Sequence, residues 1–308
     1  RVVKKILILA GGYSKEREIS LKTAKSVYQE LKNDKKYKLQ IHEPNGNLIK
    51  NLKKFNPDIV LNLLHGRYGE DGYIQTILEI ENIKYTHSGV LSSSLAIDKE
   101  ISKVLFKKYD ILTPKYLKFS FKKKLNKKKF INQINKKIGF PVVIKPLNEG
   151  SSVNVNICNK SNIVNNLTKL REYSEILIEK YIDGREIQVA ILSKKILGAI
   201  ELKPKRKFYD YEAKYNPKSK TEHIIPVDLS KKQYDTVTNM ALKAHKILKC
   251  SGVTRSDFRF FKNKFYLLEI NTQPGMTSLS LVPEIAKYNN ISFKNLIKKI
   301  LQDASTNK

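Results

Sequence analysis

Two apolar runs in the last third of the chain constrain the fold more than any other feature. Residues 252–261 (Gly-Val-Thr-Arg-Ser-Asp-Phe-Arg-Phe-Phe) and 265–271 (Phe-Tyr-Leu-Leu-Glu-Ile-Asn) are separated by Lys262-Asn263-Lys264, and Pro274-Gly275 closes the second run. Strand-like runs around a short polar link predict a β-hairpin. Centred on Asn263, the hairpin sets Asp257 opposite Glu269 and Arg255 opposite Asn271. Residues two apart on a strand share a face, so all four point the same way. Like charges directly opposed destabilise a sheet, and a divalent cation between them removes the conflict. Asp, Glu and Asn are oxygen ligands suited to Mg²⁺ shared with phosphates. The pattern also fits an edge hairpin with a solvated polar face.

The chain has 308 residues, enough for two or three domains, and its 41% hydrophobic and 29% charged content is ordinary for a soluble globular protein. No apolar run approaches the roughly 20 residues that span a bilayer. The first segment, Arg1-Val-Val-Lys-Lys-Ile-Leu-Ile-Leu-Ala, runs into Gly-Gly and charges and reads as a strand, not a signal peptide. The lack of an initiator Met suggests that a residue or two precede it. Cys158 and Cys250 lack metal-ligand spacing and read as buried free thiols. The formal charge of +30 is unusual. Lys is spread along the whole chain, and its densest run, 122–137, has few aromatics and no nucleic-acid motif. That run reads as a solvated linker or helix face in preference to a binding patch, and the excess charge should attract polyanions.

In chain order, 3–9 is a continuous apolar strand, Ala10-Gly-Gly-Tyr-Ser14 a turn, and 19–31 a helix. Strand, Gly-rich turn and helix open a doubly wound α/β domain, although G-x-G-x-x-G is absent. Ligands in such folds sit at the carboxyl ends of strands, near Lys15-Glu16-Arg17-Glu18. Residues 58–64 form a second buried strand that runs into His65-Gly-Arg-Tyr-Gly-Glu-Asp-Gly72. A lone His is usually structural, but His65 shares its loop with Arg67 and Glu70. Helices are expected over 75–80 and 92–106, the latter carrying Asp98-Lys99. Residues 113–137 read as a Lys-rich connection. A strand over 142–145 leads to Pro146-Leu-Asn-Glu-Gly-Ser-Ser-Val153, whose backbone and hydroxyls could cradle phosphate, as could any hairpin loop of that composition. Residues 175–182, Asp183-Gly184 and 186–192 read as strand, turn, strand. Residues 205–215 look like an ordered functional loop. Helices over 229–248, 281–288 and 293–301 complete the chain.

Taken together, several segments resemble one family. They are Gly11-Gly12 with Glu16-Arg17-Glu18, His65-Gly-Arg with Gly-Glu-Asp-Gly72, Ser88-Gly-Val, Asp98-Lys99, Lys145-Pro with Glu149-Gly-Ser-Ser-Val153, Leu177-Ile-Glu-Lys, Phe208-Tyr-Asp-Tyr-Glu-Ala-Lys-Tyr215, Arg255-Ser-Asp257, Leu268-Glu-Ile-Asn-Thr, Pro274-Gly-Met-Thr-Ser278 and Ser280-Leu-Val-Pro283. Over nearly its whole length the chain resembles the D-alanine–D-alanine ligases of the ATP-grasp family. The resemblance implies an N-terminal Rossmann-like (preATP-grasp) α/β domain, 1–98, holding the first D-alanine. It implies a two-lobed α+β ATP-grasp fold after it: a central lobe, 99–184, and a C-terminal lobe, 185–308, with the metal site and a closing loop.

The implied activity is ATP-dependent formation of D-alanyl-D-alanine through D-alanyl phosphate, for peptidoglycan precursor synthesis. The alternatives are a D-alanine–D-lactate ligase or another ATP-grasp carboxylate–amine ligase; Tyr215 favours the dipeptide. By resemblance, Lys99 and Lys145 hold the α- and β-phosphates, and the loop with Glu149, Ser151 and Ser152 covers them. The 179–182 strand (Glu179, Lys180, Tyr181, Ile182) receives adenine and Glu186 the ribose, while Tyr209 and Lys214 complete the ATP set, with Lys214 on the γ-phosphate. Asp257, Glu269 and Asn271 hold two Mg²⁺, for which Mn²⁺ could substitute. Arg255 and the Gly275 N–H form the oxyanion site. Glu16 binds the first D-alanine's ammonium beside His65, and Ser280 and Leu281 fix the second D-alanine's carboxylate. Glu16, Ser151 and Tyr215 form a triad that closes the 205–219 loop and excludes water. The implied partners are D-alanine and ATP, with no nucleic acid and no membrane, in a cytoplasmic homodimer. Asn154 stands where the family has Gly, and Tyr181 where it often has Trp.

Overall fold

The first apolar run becomes a strand covered on both sides. In the computed structural model, which describes residues 3–122, 125–149, 155–204, 221–277 and 280–308, β1 (Lys4–Leu9) buries Ile6, Leu7, Ile8 and Leu9 completely. It lies inside a parallel sheet of order β2-β1-β3-β4, with β2 (Tyr37–His42), β3 (Ile59–Asn62) and β4 (Lys84–Tyr85). Alternation divides the strand's side chains between two cores. Leu7 and Leu9 pack with Leu48 and Leu52 of α2 (Leu48–Phe55) and with Ile74 and Leu78 of α3 (Tyr73–Ile80). Ile6 and Ile8 pack with Ala24, Val27 and Leu31 of α1 (Arg17–Leu31).

The second sheet is antiparallel, in the order β5-β8-β6-β7. It comprises β5 (Tyr116–Ser120), β6 (Val142–Pro146), β7 (Asn156–Cys158) and β8 (Glu175–Lys180). Phe130 and Ile134 of α6 (Lys127–Lys137) and Ile163 and Leu167 of α7 (Ile163–Thr168) form its core with Val142, Ile144, Ile176 and Ile178.

The third sheet, order β11-β10-β9-β12-β13, is also antiparallel. It contains β9 (Arg185–Leu192), β10 (Lys195–Lys203), β11 (Glu222–Ile224), β12 (Val253–Phe261) and β13 (Lys264–Asn271). On one face, Ile187, Val189 and Ile191 meet Val237, Ala241 and Ala244 of α8 (Lys231–Ile247), with Ala96 of α4 (Val90–Ile97) and Phe106 of α5 (Lys99–Lys108) in the same cluster. On the other, Ala190, Ile200 and Leu202 meet α9 (Leu281–Tyr288) and α10 (Phe293–Gln302). That core is the one that also takes Ile6, Ile8 and α1. The mixed fold expected from the sequence is therefore present: a parallel α/β sheet followed by two antiparallel, helix-backed sheets. Cys158 and Cys250 are buried and free, as expected. Among the described residues no helix is long and apolar enough to cross a membrane.

Four local expectations need correction. The helix expected over 92–106 is broken at Asp98, whose carboxylate accepts from the N–H groups of Glu100 and Ile101 and so starts α5 as an N-cap. The 113–137 connection contains β5 and α6, because β5 finds its partner in β8, far along the chain (Tyr116 opposite Glu179). The strands on either side of Asp183-Gly184 do not pair. β8 stays in the second sheet and β9 enters the third, so this turn carries the chain from one sheet to the next. A side-chain atom on Gly184 would come within 2.4 Å of the Phe260 carbonyl oxygen, so the crossing needs glycine.

The hairpin loop is Lys262-Asn263 alone, both with positive φ (47° and 59°), as a tight two-residue turn requires. A regular ladder from that turn would shift the register by one and put Glu269 on the wrong face. A bulge at Leu268 restores it. Phe258 faces Leu267, while Asp257 faces Glu269 and Arg255 faces Asn271, the pairs expected from the sequence.

Candidate active site

The second and third sheets face each other across a cleft. The carboxyl end of β8 and the residues after it supply Glu179, Lys180, Tyr181 and Ile182, β6 supplies Lys145, and α5 supplies Lys99. From the other side come Glu186 and Gln188 of β9, Asp257 and Arg259 of β12, and Leu268 and Glu269 of β13. Glu149 also lines it. All of the expected ATP residues that are described thus reach one cleft, together with two of the three expected metal ligands. Asn271 lines an adjoining pocket with Glu70, Lys99, Glu149 and Glu269. Ser151, Ser152, Tyr209, Lys214 and Tyr215 lie outside the described residues, as do Asn154 and the 205–219 loop.

Ion pairs organise the cleft floor. Lys99 Nζ donates to the Glu149 carbonyl oxygen (2.6 Å) and lies 3.4 Å from Glu269 Oε2. Lys145 Nζ lies 2.5 Å from Glu179 Oε1. Arg259 donates to Glu186 Oε1 (2.6 Å) and to the Gly184 carbonyl (2.8 Å). The Lys180 side chain is turned to the carbonyls of Gly139 and Phe140 (3.3 and 2.8 Å), and its N–H donates to the Lys115 carbonyl (2.8 Å).

At the expected metal-ligand positions Asp257 is gripped by Arg255, Nε to Oδ1 at 2.8 Å and Nη2 to Oδ2 at 3.0 Å. The Asn271 amide lies 3.4 Å from Asp257 Oδ1. Two opposed carboxylates and an amide form an all-oxygen donor set that fits a hard divalent cation with phosphate or water completing its shell. Arg255 and Lys99 supply the compensating charge in this structure. Among the described residues no cluster of three or more His, Cys, Asp or Glu side chains is placed to hold a metal ion.

A second group sits at the carboxyl ends of the parallel strands. Of the Lys15–Glu18 quartet only Glu16 is buried, while Arg17 turns outward to Glu43 (2.6 and 2.9 Å). Gly66, at φ +66°, packs so close to Glu16 that a side-chain atom there would lie 3.2 Å from Oε2. His65 is buried and its Nδ1 lies 3.0 Å from the Gln273 carbonyl, which joins this loop to the end of the hairpin; its Nε2 has no partner among the described residues. Burial lowers the His65 pKa, with Arg255 acting in the same direction and Glu16 opposing. Burial likewise raises Glu70 to about 8, aided by Glu16 and Glu269 and opposed by Lys99. Beyond the hairpin, Ser280 Oγ accepts from the Thr277 N–H (2.9 Å) and sits where a side chain on Gly275 would collide with it. Leu281 buries its side chain in the shared core, so only its backbone faces outward as the first residue of α9.

A family model described as "D-ala D-ala ligase C-terminus" matches residues 105–302. A D-alanine–D-alanine ligase of Pelagibacter ubique (strain HTCC1062) is 64% identical over 308 residues, covering all of both chains. The chain belongs to the D-alanine–D-alanine ligase family. A crystal structure of the family from Bacillus anthracis superposes with a TM-score of 0.86 at 34% identity, covering 98% of this chain and 97% of that one. One described as complexed with ATP gives 0.85 at 31% identity, with the same coverage.

Several cleft residues escape a reading of the sequence alone. Gln188 and Arg259 are the cross-strand neighbours of Asp257 and Glu186, a relation visible only once β9 is known to pair with β12. Glu70 stands out in the sequence only as a companion of His65. Lys103, one turn after Lys99 on α5, offers no signal beyond its spacing.

Proposed function

We infer that this chain joins two D-alanines to D-alanyl-D-alanine with cleavage of ATP to ADP and phosphate, the reaction that supplies the dipeptide of peptidoglycan precursors. The observation that carries the reading is the single cleft that gathers Lys99, Lys145, Glu179 and Glu186 with Asp257 and Glu269, in a chain of full-length family similarity. Phosphoryl transfer depends on positioning and charge neutralisation more than on covalent protein chemistry. In this reading Lys99 and Lys145 neutralise the phosphates, Glu179 and the backbone of 180–182 receive the base, and Glu186, held by Arg259, takes the ribose hydroxyls.

A carboxylate oxygen of the first D-alanine, held by Glu16 beside His65, attacks the γ-phosphorus. The bond to the ADP oxygen breaks, and an acyl phosphate forms. The amine of the second D-alanine, whose carboxylate meets Ser280 and the Leu281 backbone, then attacks the acyl carbon. Arg255 and the Gly275 N–H stabilise the developing oxyanion. Collapse expels phosphate, and the nitrogen loses its extra proton. Asp257, Glu269 and Asn271 would hold Mg²⁺, which supplies charge neutralisation at the phosphates. Ser151 and Tyr215, with Glu16, are assigned to closing the site. We place the enzyme in the cytoplasm as a homodimer, and divide it at residues 98 and 184.

ADP release coupled to product analysis tests the reading. With Mg²⁺, D-alanine should trigger ADP release and yield the dipeptide, and L-alanine should not. ADP release indifferent to D-alanine would overturn it. A D-alanyl-D-lactate product, when D-lactate and D-alanine compete at neutral pH, would move the chain to the depsipeptide-forming branch.

A further inference from the structure

Lys103 is a lysine with no exposed surface, in the middle of α5. Its Nζ lies 2.7 Å from Thr113 Oγ1 and 2.9 Å from Glu179 Oε2. It does not line the cleft, whereas Glu179 does. A buried ammonium is tolerated only when paired, so Lys103 and Glu179 depend on each other. Glu179 has a second cation, Lys145, on its other oxygen. The result is a buried chain, Thr113–Lys103–Glu179–Lys145, that ends at the cleft. Burial pushes the Glu179 carboxyl up, but the two lysines outweigh it and hold it below the usual carboxylate range. Burial pushes Lys103 down to about 8, with Glu179 opposing.

One cation neutralises one buried carboxylate, and Glu179 has two. The proposed function gives the surplus a purpose, and the role of Lys103 rests on that reading. Lys145 is assigned to the nucleotide's phosphates, so binding draws it away from Glu179. With Lys145 alone, that move would strand a buried carboxylate, which would take up a proton. A protonated carboxyl can donate, whereas an ionised one only accepts. An obligate acceptor recognises an amino group on the base and rejects an oxo group.

We propose that Lys103 is a positioning residue that keeps Glu179 anionic and in place when Lys145 turns to the phosphates, and thereby sets the preference for an amino-purine nucleotide over its oxo counterpart.

The test is steady-state kinetics of Lys103→Met with ATP and with inosine triphosphate, at saturating D-alanine. The expected result is a rise in KM for ATP of about tenfold and a fall in ATP-over-inosine-triphosphate discrimination of about tenfold. The KM for D-alanine should stay within about threefold of wild type, since Lys103 touches nothing on that side. Lys103→Arg, which restores a cation, should recover part of the discrimination. Glu179→Gln should itself relax discrimination, and adding Lys103→Met to it should cost nothing further there. Unchanged discrimination in Lys103→Met, or losses that multiply in the double variant, would overturn the proposal. If Lys103→Met does not fold, Thr113→Val removes only the lysine's other anchor. A smaller shift in the same direction is then expected, and an unmoved ratio counts against the proposal. Wild-type turnover with D-alanine checks the underlying reading separately: its absence sinks that reading, while its presence with an unmoved variant sinks this one alone.

Discussion

Asp257 and Glu269 face each other across the hairpin with Arg255 and Lys99 beside them. Replacing Glu269 with Ala removes one side of an oxygen donor set. Turnover should fall at least about 100-fold, and the Mg²⁺ concentration for half-maximal activity should rise; near-normal activity in a magnesium titration would refute the metal assignment. Buried histidines predict the acid side of the stability curve. Burial lowers His87 to about 3 and His245 to about 4, and each ring bonds a threonine hydroxyl at 2.8 Å. Above pH 6.5 both are neutral whether folded or unfolded. Below it the unfolded chain takes up protons that the folded one refuses, so stability falls as pH drops from about 6.5 toward 4, by on the order of a few kcal/mol. Urea midpoints across that range should show the decline. His87→Asn, which tolerates the positive φ of 69° at that position, should flatten it.

At the scale of elements, the hairpin register is readable from the sequence only because two departures cancel. The loop is one residue shorter than its polar link, and the bulge at Leu268 adds one back. The bulge also brings Leu268 to the cleft lining. Leu268→Ala should raise the KM for ATP by roughly 5- to 30-fold, in line with about 1–2 kcal/mol for the lost apolar contact, and leave the KM for D-alanine unchanged in the same assay. Asp98 starts α5 and so aims Lys99. Asp98→Ala should cost about 1 kcal/mol in urea unfolding and weaken ATP as well, since Lys99 is the first residue of that helix. Strands and helices with continuous or periodic apolar residues were legible. Their partners were not, because pairings such as Tyr116 with Glu179 join segments whose local patterns carry no mark of each other. The same gap hid Gln188, Arg259 and Lys103, whose meaning depends on a neighbour from another element.

Across the whole molecule the +30 charge is the property most open to solution measurement. A strongly basic protein draws in a polyanion, and salt screens the attraction over about 10 Å at 0.1 M. The kcat/KM for ATP should therefore fall as NaCl is raised at fixed Mg²⁺, while that for zwitterionic D-alanine changes little. A salt-independent value for ATP would show that the charge does not steer it. The core that takes Ile6, Ile8, Ala24, Val27 and Leu31 also contains Leu281, Val282, Ile285, Leu296, Ile297 and Ile300. β1 thus shares its core with helices made long after it, and Tyr85 of β4 likewise forms its bridge with Ser305. During synthesis the cluster that β1 and α1 begin stays incomplete until α9 and α10 have emerged. The unfinished cluster is a natural holding surface for a chaperone, and β1 and α1 cannot complete their packing before α9 and α10 are made.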